Sequence, residues 1–419
     1  MQKKISIFLI LLSIYLLYSS MCHKNQQILS QFPPYASIRT AEIPEKTVYT
    51  GKDFSITSKG AAPSSLHAKA SCLMDADTEQ VLWGQEADKK MPMASTTKIM
   101  TCIIALENGK LEDTVTATSY AASMPDVQLN MKAGETFCLK DLLYSLMLES
   151  HNDTAVAIAE HVGGSVEGFA AMMNAKAAEL GCTQTNFVTP NGLDSKEHYT
   201  TAKELCIIAA YAIRNKQFLN IIATPSYQFS NRKGTRKYHV RNHDAFLTSY
   251  PGAIGIKTGF TGNAGYCFCG AAKKGGQTLI TSVLACGWPP NKTWKWKDTK
   301  ALMNYGFDNF KTVSVTPEKL PSSLPANQGT EGEVAIHSTA PENLAFTLQE
   351  QDTVTRKITL PKNVIAPVRK GDIIGYDKYY RNDELLYEFP ILAKKSCAAR
   401  GLSYYRKLVK ELFLFQQNG

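Results

Sequence analysis

Strand-like segments lie at both ends of a long helical stretch, and that separation constrains the fold more than any other feature of the sequence. Ala70-Ser71-Cys72-Leu73-Met74 and Gln80-Val81-Leu82-Trp83 flank a polar Asp75-Ala76-Asp77 turn and read as a strand-turn-strand unit. Strand patterns return around Ala253–Thr258, Tyr266–Ala272 and Thr278–Ala285. Between them, apolar residues recur at helical spacing over Thr96–Asn108, Leu139–Glu149, Asp153–Val162 and Val166–Leu180, with Gly109, Gly163-Gly164 and Gly181 as stops. Thr201-Ala202-Lys203-Glu204 is a capping box that opens a further helix through about Arg214, and a last helix runs near Trp296–Tyr305. Strands need partners, so the early pair has to meet the late trio across the helices. The expected fold is α+β, an antiparallel sheet flanked by helices and assembled from distant parts of the chain.

The chain has 419 residues, more than one domain of ~100–200. Its composition changes after about Lys311, where Pro317, Pro321-Ser322-Ser323 and Pro325 mark a linker. Short alternating segments at Glu333–Ile336, Leu344–Leu348, Val354–Leu360 and Asp372–Gly375 predict a small β-rich C-terminal domain. From Leu402 the pattern is helical again. Leu402, Tyr404, Tyr405, Leu408, Val409, Leu412, Phe413 and Phe415 cover one half of the helix, opposite Ser403, Arg406, Lys407, Lys410 and Glu411. Such a helix either docks on the second domain or lies in a membrane surface. Its terminal position and basic polar face favour the membrane.

At the other end, Lys3 and Lys4 precede an apolar run from Ile5 to Tyr18 and then Ser19-Ser20-Met21-Cys22. This order describes a secretory signal, too short for the ~20 residues of a spanning helix, with an uncleaved anchor as the alternative. Met21 before Cys22 is a poor fit to a lipidation site. The polar stretch from His23 to about Leu66 reads as a tether. The expected layout is therefore 1–22 signal or anchor, 23–65 linker, 66–311 main domain, 312–397 β-rich domain and 398–419 amphipathic helix. Export places the chain at the outer face of the cytoplasmic membrane or in the cell wall.

Composition narrows the function by exclusion. Apolar residues at 44% and charged residues at 20% rule out wholesale disorder. The net charge of +9 is modest for this length and suits an anionic membrane or wall; no basic tract alternates with aromatics, so nucleic acid is not an expected partner. The ten cysteines are scattered, without a CxxC pair, mostly among apolar residues, as buried free thiols would be. The eight histidines show no HExxH, and His239 and His243 lie in a basic stretch without a carboxylate pattern, so no metal site is expected.

Three short segments carry chemistry. Ser95-Thr96-Thr97-Lys98 stands where a loop enters an apolar helix, and the i, i+3 spacing brings the Lys98 amine to the Ser95 hydroxyl. The helix start adds free N–H groups for a developing oxyanion. A lysine serves as base only when uncharged, which requires burial and a second cation to lower its pKa. Ser150-His151-Asn152 lies between two apolar helices, where it either presents a hydroxyl and an amide to the same cavity or simply caps the next helix. Lys257-Thr258-Gly259 ends a strand and supplies a cation, a hydroxyl and a glycine that admits substrate to the backbone; its plain alternative is a strand end and turn. Each match is weak alone. In this order they form the S-x-x-K, S-x-N and K-T-G trio of penicillin-binding proteins and class A β-lactamases.

The wider segments Pro92–Thr101, Ser150–Asp153, Thr189-Pro190-Asn191-Gly192-Leu193-Asp194 and Gly255–Thr261 resemble the serine-type D-alanyl-D-alanine carboxypeptidases, the low-molecular-mass penicillin-binding proteins. The likeness covers roughly residues 66–310, and the β-rich domain and amphipathic tail match the family layout. The resemblance implies a β-lactamase/transpeptidase-like domain and no cofactor. It implies Ser95 as acyl-ester nucleophile, Lys98 as its proton acceptor and Ser150 as proton relay. Asn152 would position substrate, Lys257 and Thr258 would hold its terminal carboxylate, Gly259 would let substrate approach the backbone, and the backbone N–H groups of Ser95 and Phe260 would form the oxyanion hole. The expected substrate is a peptidoglycan stem pentapeptide, with β-lactams as covalent inhibitors. Two departures stand out: Phe260 occupies a place where some members carry histidine, and in place of a downstream carboxylate-binding arginine there are Lys292, Lys295 and Lys297. Two rivals share the trio. A class A β-lactamase needs a deacylating glutamate that is not found here, and a silent wall-bound scaffold would have no use for an intact Ser95, Lys98, Ser150 and Lys257.

Overall fold

The computed structural model describes residues 40–42 and 46–415. The export segment 1–22 and the first part of the expected tether lie outside the described residues. The chain divides into two units: 49–317 together with 342–353, and 318–341 with the chain from Val354 onward and the strands that precede Tyr49.

In the first unit the strands β1 (Ala70–Asp75), β2 (Val81–Gln85), β3 (Ala253–Thr261), β4 (Gly265–Lys274) and β5 (Gln277–Leu284) form one sheet in the order β2-β1-β5-β4-β3. Every pairing is antiparallel, and β1 pairs with β5 through Met74↔Ile280 and Cys72↔Ser282, as the separation of the strand patterns requires. The period-2 alternation divides the core in two. Ala70, Cys72 and Met74 join the large helical cluster on one face. Leu73 joins Leu302 and Met303 on the other, where the helix Trp294–Asn309 covers the sheet. With each fully buried aliphatic side chain worth about 1.5–3 kcal/mol, the larger helical face is the main stabiliser of the unit.

That face carries α1 (Lys98–Asn108), α2 (Leu139–Leu148), α3 (Asn152–Gly163), α4 (Val166–Glu179) and α5 (Ala202–Ala212). Helix α1 is buried at every position from Lys98 to Ala105, because α2, α3, α4 and α5 surround it. Its start therefore lies inside the unit, beside β3, the edge strand of the sheet. This position at the junction of helices and sheet edge creates the site.

The structure adds elements that the sequence pattern did not show. A 3-10 turn, Ala94–Thr97, precedes α1, so the expected helix start is a tighter turn followed by the helix proper. A helix, Lys216–Ala223, and a hairpin, Ser226–Ser230 with Lys237–Arg241, follow α5. His239 sits exposed on that hairpin, which is not the turn-like stretch expected there. Part of the stretch read as a tether is strand: Thr40–Glu42 and Lys46–Thr50 both pair with Thr353–Pro361. The strand Leu344–Leu348, expected in the C-terminal domain, pairs with Lys311–Val315 in the first unit. Its Thr347 hydroxyl and those of Thr78 and Thr312 bond one another around Asp75. Spatial neighbours, invisible to local composition, draw these boundaries.

In the second unit the strands run in the order Thr40–Glu42, Thr353–Pro361, Ile373–Arg381, Glu384–Ala393, Glu333–Ser338, Ser323–Asn327 and Val364–Ile365. Leu324, Val334, Ile336, Leu360 and Ile391 are among its core. Arg356 and Asp377, 8% and 1% exposed, form a bidentate pair with both contacts at 2.8 Å. The C-terminal helix, Leu402–Phe415, exposes Leu402, Tyr405, Leu408 and Val409. Among the described residues, no helix is long and apolar enough to cross a membrane.

Candidate active site

Ser95 is the second residue of the 3-10 turn and Lys98 the first of α1, so their side chains meet across one turn with Nζ 2.9 Å from Oγ. The turn is held tightly. Ala94 has φ +48°, a left-handed conformation unusual for a residue with a Cβ. Thr97 Oγ1 donates to the Ala94 carbonyl at 2.8 Å. His198 Nδ1 accepts from the Val188 amide at 3.0 Å, which leaves Nε2–H to donate to Thr97 Oγ1 at 2.7 Å. Burial holds His198 in the matching neutral form by pushing its pKa down to about 4. Gly192, at φ +84°, lies against the Ala94 carbonyl with no room for a Cβ.

Lys98 is completely buried. Burial, followed by the charge of Lys257, depresses its pKa well below the ordinary lysine range, and Asp153 only partly opposes them. Besides Ser95, Nζ meets Asn152 Oδ1 at 2.8 Å and the Asn191 carbonyl at 2.7 Å. The Asn152 amide nitrogen donates to the Pro125 carbonyl at 3.0 Å and to that of Asp126, so the orientation of its oxygen toward Lys98 follows from the network. Two of the three partners of Nζ are thus pure acceptors. An uncharged amine has two hydrogens for them, and its lone pair is left facing the Ser95 hydroxyl. That is the arrangement a general base requires.

The Asn191 carbonyl escaped the sequence reading. Its only trace there is the segment Thr189–Asp194, because a backbone acceptor has no residue signature. Asp153 was also missed as a charge. It is buried and accepts from the Leu129, Met131 and Thr154 amides, tying the loop before Lys132 to the start of α3.

Strand β3 brings the third segment. Residues 255, 257 and 259 share a face. A Cβ on Gly259 would lie 2.9 Å from the Ser95 amide nitrogen, so only glycine lets the strand pass this close to the nucleophile. Lys257 is buried, and burial pushes its pKa down to about 8 against the attraction of Asp244. At neutral pH it is still charged, the second cation that a neutral Lys98 needs. Thr258 is part-exposed on the opposite face, and Phe260 is 43% exposed with its ring 4.6 Å from that of Tyr266. Beyond Tyr266, the Lys295 ammonium lies 4.7 Å from the Tyr266 and Trp296 rings and donates to the Lys292 carbonyl at 2.6 Å.

Ser150 stands at the end of α2, two residues before Asn152. Its φ is +69°, and its shielded Oγ has no hydrogen-bond partner. Ser95, Lys98 and Asn152 are therefore in direct contact, Gly259 abuts Ser95, and Lys257 acts on Lys98 through its charge. Ser150 enters through its neighbour Asn152.

A serine in hydrogen-bond contact with a buried lysine, at a helix start beside the free edge of an antiparallel sheet, has the arrangement of a nucleophile and its base. Residues 57–287 match the D-alanyl-D-alanine carboxypeptidase family, and residues 310–399 match the penicillin-binding protein 5 C-terminal domain. The chain belongs to the D-alanyl-D-alanine carboxypeptidase family. It is 29% identical over 348 residues to the D-alanyl-D-alanine carboxypeptidase DacF of Bacillus subtilis, a match covering 81% of this chain and 88% of that one. Penicillin-binding protein 5 from Haemophilus influenzae is similar in structure with a TM-score of 0.66 and 25% identity, over 81% of this chain and 100% of its own. The Streptomyces K15 DD-transpeptidase, at 32% identity and a TM-score of 0.56, matches 59% of this chain and 99% of its own. The expected α+β transpeptidase-like domain with a β-rich C-terminal domain is what these likenesses support.

Proposed function

We propose that Ser95 is the nucleophile of a carboxypeptidase that removes the terminal D-alanine of a peptidoglycan stem pentapeptide. Lys98 Nζ takes the Ser95 proton as Oγ attacks the carbonyl between the two D-alanines. The Ser95 and Phe260 amides receive the oxyanion. Ser150 passes a proton to the departing amine, D-alanine leaves, and water hydrolyses the acyl ester with Lys98 again as base. Lys257 and Thr258 hold the substrate carboxylate, and Lys295 adds positive charge on the far side of Tyr266. Asn152 orients Lys98, and it reaches substrate when a loop carbonyl releases its amide nitrogen. A β-lactam acylates the same serine and leaves slowly. The first unit carries this chemistry, the β-rich unit of residues 318–341 with the chain from Val354 onward is the accessory domain, and the exported chain is held at the outer face of the cytoplasmic membrane through its C-terminal helix.

The observation that carries this reading is the buried Lys98, whose other partners are both acceptors. Mass spectrometry of a stem pentapeptide incubated with the protein tests it: loss of one D-alanine is expected, and an unchanged pentapeptide would overturn it. Fluorescent penicillin should label the protein but not Ser95→Ala. Rapid, steady consumption of the antibiotic would point instead to a β-lactamase.

A further inference from the structure

Ser150 sits in a backbone conformation that a serine does not choose for itself. Its φ of +69° falls at the residue after the C-cap Glu149, where helices turn out through a left-handed residue that is usually glycine. Its own Oγ makes no hydrogen bond that could stabilise the turn. Whatever holds it must come from its neighbours.

Those neighbours are joined over it. Glu149 Oε2 lies 3.2 Å from His151 Nε2, while Glu149 Oε1 accepts from the Arg241 amide at 2.8 Å, fixing the carboxylate to the hairpin. His151 is 5% exposed, and its Nδ1 lies 2.7 Å from Ser145 Oγ, which in turn lies 3.1 Å from Thr154 Oγ1. With the ring neutral, one proton arrangement satisfies every member. Thr154 donates to Ser145, Ser145 to Nδ1, and Nε2–H to Glu149. Burial lowers the His151 pKa, Lys98 adds to that, and Asp153 and Glu149 oppose it, which suits the neutral ring this arrangement needs. On the far side of Ser150, the Asn152 amide donates to the Val127 carbonyl at 2.7 Å.

We infer that Glu149 and His151 are a positioning pair that clasps Ser150 in its left-handed conformation and so aims its hydroxyl at the reacting centre. The inference rests on the relay role proposed for Ser150. Neither residue touches substrate; both act through the backbone between them. The middle residue of the S-x-N segment, silent in the motif, thereby has a task in this chain.

The test is the rate and the stoichiometry of penicillin acylation in His151→Ala, Glu149→Ala and His151→Gln, the last of which keeps a donor for Glu149. With the clasp removed, every molecule should still be acylated, but roughly tenfold to a hundredfold more slowly. His151→Gln should recover most of the rate. A merely structural role predicts the opposite pattern, a reduced labelled fraction with wild-type rate in the remainder, and that result would overturn the inference. A wild-type rate at full stoichiometry in His151→Ala would overturn it equally. Ring nitrogen shifts of His151, measured without substrate, give a separate reading. They should report an Nε2–H tautomer that is lost in Glu149→Ala, and an Nδ1–H tautomer in the wild type would refute the clasp. If the wild-type protein took up no penicillin, the carboxypeptidase reading would fail while these shifts still judged the clasp.

Discussion

Three oxygens lie within 2.9 Å of the Lys98 amine, and only one of them has a proton to give. That asymmetry, more than the serine itself, makes the site reactive, because a charged Lys98 would spend a hydrogen on Ser95 and leave no base. Lys98→Ala should fold normally yet acylate about 100- to 10,000-fold more slowly, measured as penicillin labelling alongside circular dichroism. Lys98→Arg should be no better, since a guanidinium stays charged. The pH profile follows from the same residues. With the proposed roles, activity should rise as Lys98 loses its proton, and carboxylate recognition should fall as Lys257 discharges through about 8. For a free-acid substrate kcat/KM should therefore decline above about pH 8. A substrate amidated at its C-terminus should lack that decline; the same alkaline limb for both would show that Lys257 does not read the carboxylate. Ser95, Lys98 and Lys257 were legible in the sequence because i, i+3 spacing and a strand end are local facts. The Asn191 carbonyl and the Asp153 charge were not, since their effect depends on which chain segment folds over them.

Elements of the site are set by loops whose contribution is made through backbone groups and distant side chains. The segment from Thr189 to Thr200 supplies Asn191 to Lys98 and His198 to the Ser95 turn. Because burial lowers the folded-state pKa of His198 to about 4, below its unfolded value of 6.5, the unfolded chain binds the extra proton first. The neutral-ring contribution to stability is complete above about 6.5 and is lost as pH falls through about 4, a difference on the order of 3 kcal/mol. His198→Asn should be less stable than wild type at neutral pH and should lose less on acidification, as read by denaturant unfolding at each pH. Equal acid sensitivity in both proteins would remove His198 from the account. The long helices and the sheet strands were readable from their 3.6- and 2-residue periods. The strand Glu384–Ala393 was not, because Pro390 interrupts the run; in the sheet it stands opposite Tyr376 without breaking the pairing on either side.

For the whole molecule, the test of the tail is cellular. Deleting Leu402–Gly419 should move the protein from the membrane to the soluble fraction if the signal is cleaved, with penicillin acylation unchanged. Unaltered fractionation would count against the C-terminal helix as the attachment. By itself the sequence determined the α+β class, the β-rich C-terminal part and the three segments that mark the chemistry, because each is written in short-range spacing and period. The folded chain alone decided which strands close which unit, which backbone carbonyl faces Lys98, and why a lysine can be uncharged there. Those depend on desolvation and on contacts between residues far apart along the chain, and no local pattern encodes what will be buried beside what.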